Sequence, residues 1–133
     1  MMMTGGCLCG RIRYEIAGEP VDCTACHCND CRRASAAPFT AWLSVRSADF
    51  RFVAGTPRFY KSSPRVERAF CTDCGTPLTY RHATFADEID VATGSLDRPG
   101  DAPPAHHTWT SQKLAWVQIA DGLPQHPRAW PES

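Results

Sequence analysis

The chain has no excess of charge and no long apolar run. Its 133 residues include 14 Lys and Arg against 14 Asp and Glu, so no net field attracts it to nucleic acid or to an anionic membrane. No apolar stretch approaches the roughly 20 residues that a transmembrane helix needs. The start, Met1–Gly6, lacks the basic residues and the apolar core of a secretion signal. These absences predict a soluble, cytoplasmic protein that binds neither membranes nor nucleic acid.

Cysteine, by contrast, is abundant, with eight residues in the chain. The number is even, so a framework of disulfides is one interpretation. Disulfides are rare in a reducing cytosol, where clustered cysteines more often bind metals or act in catalysis. The expected location therefore favours metal binding over disulfide formation.

Four of the cysteines fall within nine residues, in the segment C-T-A-C-H-C-N-D-C from Cys23 to Cys31. Disulfide pairing within so short a segment would be severely strained. Cys26, Cys28 and Cys31 can direct three thiolates to one point, one short of the tetrahedral set that zinc prefers. The spacing of Cys23 also fits a fourth ligand. The sequence thus leaves open a closed structural site with Cys23 and an open site without it.

The remaining cysteines form two short motifs far apart in the chain. Cys7-x-Cys9 lies among glycines, which allow a tight turn. Cys71-x2-Cys74, followed by Gly75, is a zinc knuckle at the end of a predicted strand and is a strong zinc signal. The two motifs together predict a closed four-thiolate site. Such a site would connect the first loop to a strand end about sixty residues later and stabilise the fold.

Short runs of aromatic and β-branched residues separated by Gly, Pro and Ser predict an all-β sandwich or barrel. In Arg11–Ile16, Ile12, Tyr14 and Ile16 alternate with charged residues, as in a half-buried strand. We find no repeat or linker, so residues 1–133 are predicted to form one domain. The predicted strands are 11–16, 39–45, 50–53, 58–61, 66–71, 78–81, 89–93 and 114–120, with one short helical turn in 32–37.

These motifs, in this order, resemble the family of glutathione-dependent formaldehyde-activating enzymes, which includes centromere protein V. The residues that carry the resemblance are Gly6–Gly10, Cys26–Arg33, Cys71–Gly75, and His107 through Trp116 to Pro124. The resemblance implies a β-tent fold of short antiparallel strands with two zinc ions. It also implies a structural zinc on Cys7, Cys9, Cys71 and Cys74 and a functional zinc on Cys26, Cys28 and Cys31.

The family resemblance further implies a carbon–sulfur lyase, similar to S-(hydroxymethyl)glutathione synthase. Such an enzyme joins a small thiol, glutathione, to formaldehyde. Zinc with three protein thiolates and an open position can hold the thiol's sulfur beside the carbonyl carbon. His107 corresponds to a family histidine near the functional zinc and is a candidate acid or base. An ordinary hydrogen-bonded histidine is the alternative at that position.

Several other residues have a functional and a structural interpretation. His27 lies between two ligand cysteines and is expected to point away from the metal and pack. Ala36 stands where the family usually has glycine, and we expect it to narrow the approach to the loop. Arg32, Arg33 and Lys113 are candidates for binding substrate carboxylates, with solvated surface positions as the alternative. Trp42, Trp109 and Trp116 are expected in the core or in a pocket wall.

Two other function classes stay open at this stage. One is a zinc-stabilised binding module without catalysis, and the other is a purely structural two-zinc scaffold. Nucleic acid as the partner of a binding module is disfavoured by the balanced charge and by the lack of a basic tail.

Overall fold

The structure, a computed structural model, describes residues 2–131. These residues contain ten β-strands and one short α-helix, α1, at Asn29–Ser35. The strands are β1 Met2–Gly6, β2 Arg13–Ala17, β3 Asp22–Cys26, β4 Thr40–Arg46, β5 Phe50–Ala54, β6 Arg58–Ser63, β7 Val66–Phe70, β8 Pro77–His82, β9 Glu88–Ala92 and β10 His106–Thr108. The all-β prediction is confirmed, and none of the helices in 2–131 is long and apolar enough to cross a membrane.

The strands form two sheets that match the β-tent expected from the family. The smaller sheet has the order β1-β2-β5, and the larger has the order β10-β3-β4-β9-β8-β7-β6. All pairs are antiparallel except β10 with β3. The parallel pair requires a long crossover, and it brings the residues around His106 beside a strand some eighty positions earlier.

The main core contains the inward side chains of both sheets. The alternation predicted for β2 is confirmed, because Tyr14 and Ile16 are fully buried. They belong to one cluster with the buried Leu43 and Val45 of β4 and Val91 of β9. Full burial of such an apolar side chain contributes roughly 1.5–3 kcal/mol to the stability of the folded state. This core includes the side chains on the face of β3 and β4 that is opposite to the candidate site.

The opposite face of the larger sheet lines a cavity of about 660 Å³. Because side chains alternate between faces along a strand, Thr24 and Cys26 of β3 face the cavity together with Trp42 and Ser44 of β4. The residues between them in sequence, Ala25 and Leu43, are buried away from it.

The prediction of a strand at 114–120 is wrong. This segment is a turn-containing loop in which Trp116 is exposed, and the Lys113 ammonium donates to the carbonyl oxygens of Leu114 and Val117. The outer edge of β10 is occupied instead by the segment around Gln125, which forms a β-bridge with His107. An apolar alternating pattern is therefore not sufficient for a strand where another segment occupies the sheet edge.

Sequence analysis also missed three strands, β1, β3 and β10, which contain few of the large β-branched and aromatic residues that mark a strand. Among them is β3, which was interpreted as part of the cysteine loop. The predicted helical turn is real but lies three residues earlier than its predicted start, as α1.

Candidate metal centres

The first cluster consists of Cys7, Cys9, Cys71 and Cys74, whose sulfurs all lie within 4.8 Å of one another. Cys7 follows β1, and Cys71 follows β7. The knuckle is closed by hydrogen bonds from the Gly75 amide to the Cys71 carbonyl (2.8 Å) and from the Cys71 amide to the Thr76 carbonyl (3.0 Å). Gly75 has φ of +78°, a left-handed conformation that glycine adopts at little cost.

The sulfur separations in the first cluster fit a tetrahedral metal site. Sulfurs bound to one zinc at about 2.3 Å lie about 3.8 Å apart. The Sγ atoms of Cys7 and Cys9 are 3.5 Å apart, and those of Cys9 and Cys71 are 3.8 Å apart. The Ile12 amide donates to Cys7 Sγ at 3.3 Å, which favours the thiolate form that binds metals.

The second cluster consists of Cys26, Cys28 and Cys31. Cys26 ends β3, Cys28 caps the start of α1, and Cys31 lies in the first turn of that helix. Cys28 Sγ accepts a hydrogen bond from the Cys31 amide at 3.2 Å, and Cys31 Sγ lies 3.2 Å from Cys26 Sγ. The three sulfurs could supply one face of a tetrahedral metal site, and among the described residues no fourth cysteine joins them.

Protonation equilibria in both clusters favour at least one thiolate. The pKa of Cys28 is lowered to about 2, because the thiols of Cys26 and Cys31 donate to its sulfur. The same coupling raises the pKa of Cys31. In the first cluster, the pKa of Cys74 is lowered to about 5, first by the Thr76 hydroxyl and then by backbone donors. A preorganised thiolate is the form in which cysteine acts as a metal ligand or nucleophile.

Cys23 lies outside both clusters, although it is only three residues from Cys26. It is paired with Leu43 across the sheet and packs against the main core, on the face of β3 opposite to the cavity. Burial raises the pKa of its thiol. Within residues 2–131, the alternative of a closed four-cysteine second site is therefore not observed.

The cavity lies directly beside the second cluster, and all three of its cysteines line it. Arg33 also lines it, whereas Arg32 does not, and Lys113 is engaged by backbone carbonyls of its own loop. Of the three candidate carboxylate-binding cations, only Arg33 is placed to meet a ligand there. The aromatic residues of the lining are Trp42, Tyr60, Phe70, Tyr80, Trp109 and Trp130.

The outcome for the tryptophans is mixed. Trp42 and Trp109 form part of the pocket wall as expected, but Trp116 is 69% exposed and outside it. Trp130 was missed, because it lies in a Pro-rich tail without strand or helix periodicity. Its ring stacks on His126, with centroids 4.3 Å apart and an interplanar angle of 9°.

A polar row crosses the sheet at the other end of the cavity. Asp22, Ser44 and Asp90 are neighbours in register on β3, β4 and β9. The Ser44 hydroxyl donates to Asp90 at 2.5 Å, and His106 Nε2 lies 2.8 Å from an Asp22 oxygen. Burial raises the pKa of Asp90 to about 6, and the Ser44 hydrogen bond opposes that effect. The row has no local signature in the sequence, because it depends on strand pairing.

His107 is buried and does not line the cavity. Its Nδ1 lies 2.9 Å from Nε2 of His27, and its Nε2 lies 2.7 Å from a carboxylate oxygen of Asp121. His27 is itself 1% exposed and packs its ring against Phe39. His27 thus packs as predicted, but it does more than pack, because it also contacts His107 through a hydrogen bond.

Ala36 has a backbone role rather than the predicted steric one. It ends α1 in the left-handed conformation, with φ of 52° and ψ of 41°, and its amide caps the carbonyls of Arg32 and Arg33. The side chain is exposed and is not part of the cavity lining. Glycine suits this position because it reaches a positive φ without a steric penalty.

The fold and site define a class of all-β proteins with two cysteine clusters suited to hold metal ions, one of four sulfurs and one of three beside a cavity. The model of the glutathione-dependent formaldehyde-activating enzyme family matches residues 2–112, and the chain belongs to this family. The resemblance drawn from the motifs is thereby confirmed.

Individual relatives agree with this assignment. The chain is 32% identical over 78 residues to a Schizosaccharomyces pombe protein named an uncharacterized lyase; the match covers 59% of this chain and 56% of that protein. The chain therefore spans only about half the length of this curated relative. A crystal structure of a Rhodobacter sphaeroides protein superposes with a TM-score of 0.60 at 22% identity, over 93% of this chain and 99% of that one. This likeness shows a shared fold.

Proposed function

We propose that the protein is a zinc-dependent carbon–sulfur lyase that adds a small, glutathione-like thiol to an aldehyde such as formaldehyde. The observation that carries the proposal is the second cluster, whose three sulfurs line a cavity and lack a fourth cysteine. Catalytic zinc sites typically combine three protein ligands with one position for water or substrate. Family membership and the lyase name of the S. pombe relative support the reaction class.

In this proposal the two clusters have different roles. Cys7, Cys9, Cys71 and Cys74 hold a structural zinc, and Cys26, Cys28 and Cys31 hold a catalytic one. Zinc bound at the second cluster would stabilise the substrate's sulfur as a thiolate and orient it. His107 belongs to this site through His27 and makes no contact with the cavity.

The reaction is an addition of S–H across C=O. A carbon–sulfur bond forms, the π electrons of the carbonyl group move to its oxygen, and the proton lost by the thiol ends on that oxygen. The chain's own residues supply part of the cavity wall, in which the aromatic side chains of Trp42, Tyr80 and Trp109 lie near the second cluster. Arg33 at the cavity can pair with a carboxylate of the thiol.

The experiment that tests the proposal replaces zinc with cobalt and follows the visible spectrum while glutathione is added. We expect the bands of one of two cobalt ions to shift and saturate, because the thiol reaches the second cluster only. The matched control is Cys28→Ser, which should remove the thiol-dependent change and keep the spectrum of the first cluster.

If two cobalt ions bind and the spectrum does not respond to any of a series of thiols, the proposal is wrong. The protein would then be a zinc-stabilised binding module. A response to the thiol justifies a search for hemithioacetal formation by NMR, as a new S–CH₂–OH group with formaldehyde and a new S–CHR–OH group with other small aldehydes.

A further inference from the structure

A chain of three polar side chains connects the C-terminal segment to the second cluster. Asp121 contacts His107, and His107 contacts His27, which lies between Cys26 and Cys28. The distances are 2.7 Å and 2.9 Å. Both imidazoles are at most 5% exposed. Asp121 lies beyond the last residue matched by the family model, residue 112.

The carboxylate determines the arrangement of protons along this chain. An ionised Asp can only accept hydrogen bonds, and Asp121 also accepts one from the Leu123 amide at 3.0 Å. His107 therefore donates from Nε2 to Asp121, which fixes the orientation of its ring, and its Nδ1 meets Nε2 of His27. A partner that selects one tautomer of an imidazole also holds its ring orientation.

Further contacts hold His27 in place. Its amide donates to the Thr108 carbonyl at 3.0 Å, and its ring packs between Phe39 and His107, with centroid distances of 4.8 Å and 5.1 Å. The backbone on both sides of this residue carries metal-binding sulfurs. A shift of the His27 backbone, which these contacts oppose, would displace the sulfurs of Cys26 and Cys28 relative to Cys31.

We propose that Asp121 and His107 are positioning residues that hold the Cys26–Cys28 segment in its metal-binding geometry through His27. The inference rests on the proposed metal-binding role of the second cluster. It gives the C-terminal segment, which lies outside the region matched by the family model, a role in the geometry of the second cluster. It also gives His107 a role that requires no contact with substrate.

The test measures the zinc affinity of each cluster by competition with a chromogenic chelator in Asp121→Ala and Asp121→Asn. We expect the zinc of the second cluster to lose about 10- to 100-fold in affinity, as when outer hydrogen-bond partners of metal sites are removed, while the zinc of the first cluster is unchanged. Asp121→Glu, which keeps the charged carboxylate that Asn and Ala lack, should restore part of the loss. The cobalt spectrum identifies which cluster is affected.

The matched control is Asp22→Asn, which removes the carboxylate of the neighbouring His106–Asp22 pair. This pair joins β10 to β3 but does not contact His27, the residue between the two cysteines. The zinc affinities of Asp22→Asn should therefore match those of the wild type. Hydrogen exchange of the metal-free protein supplies a second measurement. In Asp121→Asn, the amide of His27 should exchange faster while the amides of β7 and β8 do not change.

The proposal is overturned if both Asp121 variants bind two zinc ions with wild-type affinity, or if Asp22→Asn has the same effect as Asp121→Asn. If the wild type binds one zinc only, the proposed function fails as well. If the wild type binds two zinc ions but its cobalt spectrum does not respond to thiols, the proposed function is refuted. The zinc affinities of the Asp121 variants then still decide the positioning role.

Discussion

The Sγ atoms of Cys9 and Cys71 lie 3.8 Å apart, although the two residues are 62 positions apart in the chain. The contact brings the loop after β1 to the end of β7, on the two different sheets. Closing a loop of this length costs on the order of 4 kcal/mol of chain entropy. A metal bound across this contact in the folded state would offset that cost.

Cys71→Ser is expected to abolish metal binding at the first cluster and to lower the free energy of unfolding by at least about 3 kcal/mol, because the metal-binding free energy that offsets the loop-closure cost is lost. The measurement combines metal analysis with urea denaturation in the presence of zinc. The matched control is Cys23→Ser, which should keep both metals, because Cys23 lies on the other face of β3. Loss of a metal in Cys23→Ser would contradict the assignment of ligands.

Asp90→Asn is expected to stabilise the protein more at pH 8 than at pH 4.5. The pKa of Asp90 is raised from 3.8 to about 6, mainly by burial. A raised pKa means that the folded state binds the proton more tightly than the unfolded state, so stability is lost as pH rises from 3.8 through 6. Asparagine removes this loss and can still accept the hydrogen bond from Ser44.

We expect the stabilisation by Asp90→Asn to be about 1–2 kcal/mol larger at pH 8 than at pH 4.5. Urea denaturation of the metal-free, reduced protein at the two pH values measures it, since bound metal would add its own pH dependence. Ser44→Ala, which removes the donor to Asp90, should have the opposite effect at pH 8. A stabilisation that does not depend on pH would show that Asp90 is not protonated near pH 6.

Ala36→Gly is expected to raise the free energy of unfolding by about 0.5–1 kcal/mol. Ala36 has φ of 52°, where a Cβ costs roughly 1–2 kcal/mol, and the greater freedom of glycine in the unfolded chain removes part of the gain. The control is Ala34→Gly in the exposed face of α1, which should destabilise by up to about 1 kcal/mol. Thermal and urea unfolding of the two variants should therefore shift in opposite directions.

Trp130→Ala is expected to weaken binding of a large thiol such as glutathione by about 5- to 10-fold, which corresponds to about 1–1.4 kcal/mol of lost contact. Trp130 is part of the cavity wall and is held by His126. Binding of 2-mercaptoethanol, which is much smaller than glutathione and can make fewer contacts with the wall, should change less. Trp116→Ala, which is outside the wall, is the matched control in the cobalt titration.

Much of the fold and the grouping of cysteines followed from local patterns. The alternation of Ile12, Tyr14 and Ile16 predicted a half-buried strand, and Tyr14 and Ile16 are completely buried in it. The spacings within 7–9, 26–31 and 71–74 predicted which sulfurs can meet, and the structure brings them together in two clusters. Such spacings act over a few residues, where backbone geometry alone determines which side chains point the same way.

The remainder depended on contacts between residues far apart in sequence. Cys23 fits a fourth ligand by spacing, but the pairing of β3 with β4 turns it toward the main core. The segment 114–120 has a strand pattern, yet residues near Gln125 occupy the available edge. The hydrogen bonds of His107 and the place of Trp130 in the cavity wall likewise arise from the parallel strand β10 and the tail beside it.

The sequence by itself therefore determined the all-β class, the family and the two sets of clustered sulfurs. Only the tertiary structure decided that the second set has three sulfurs, that a cavity adjoins it and that Asp121 reaches it through two histidines. The physical reason is that alternation and turn chemistry are local properties of the chain. Sheet register and edge pairing are set by the free energy of the whole packed molecule.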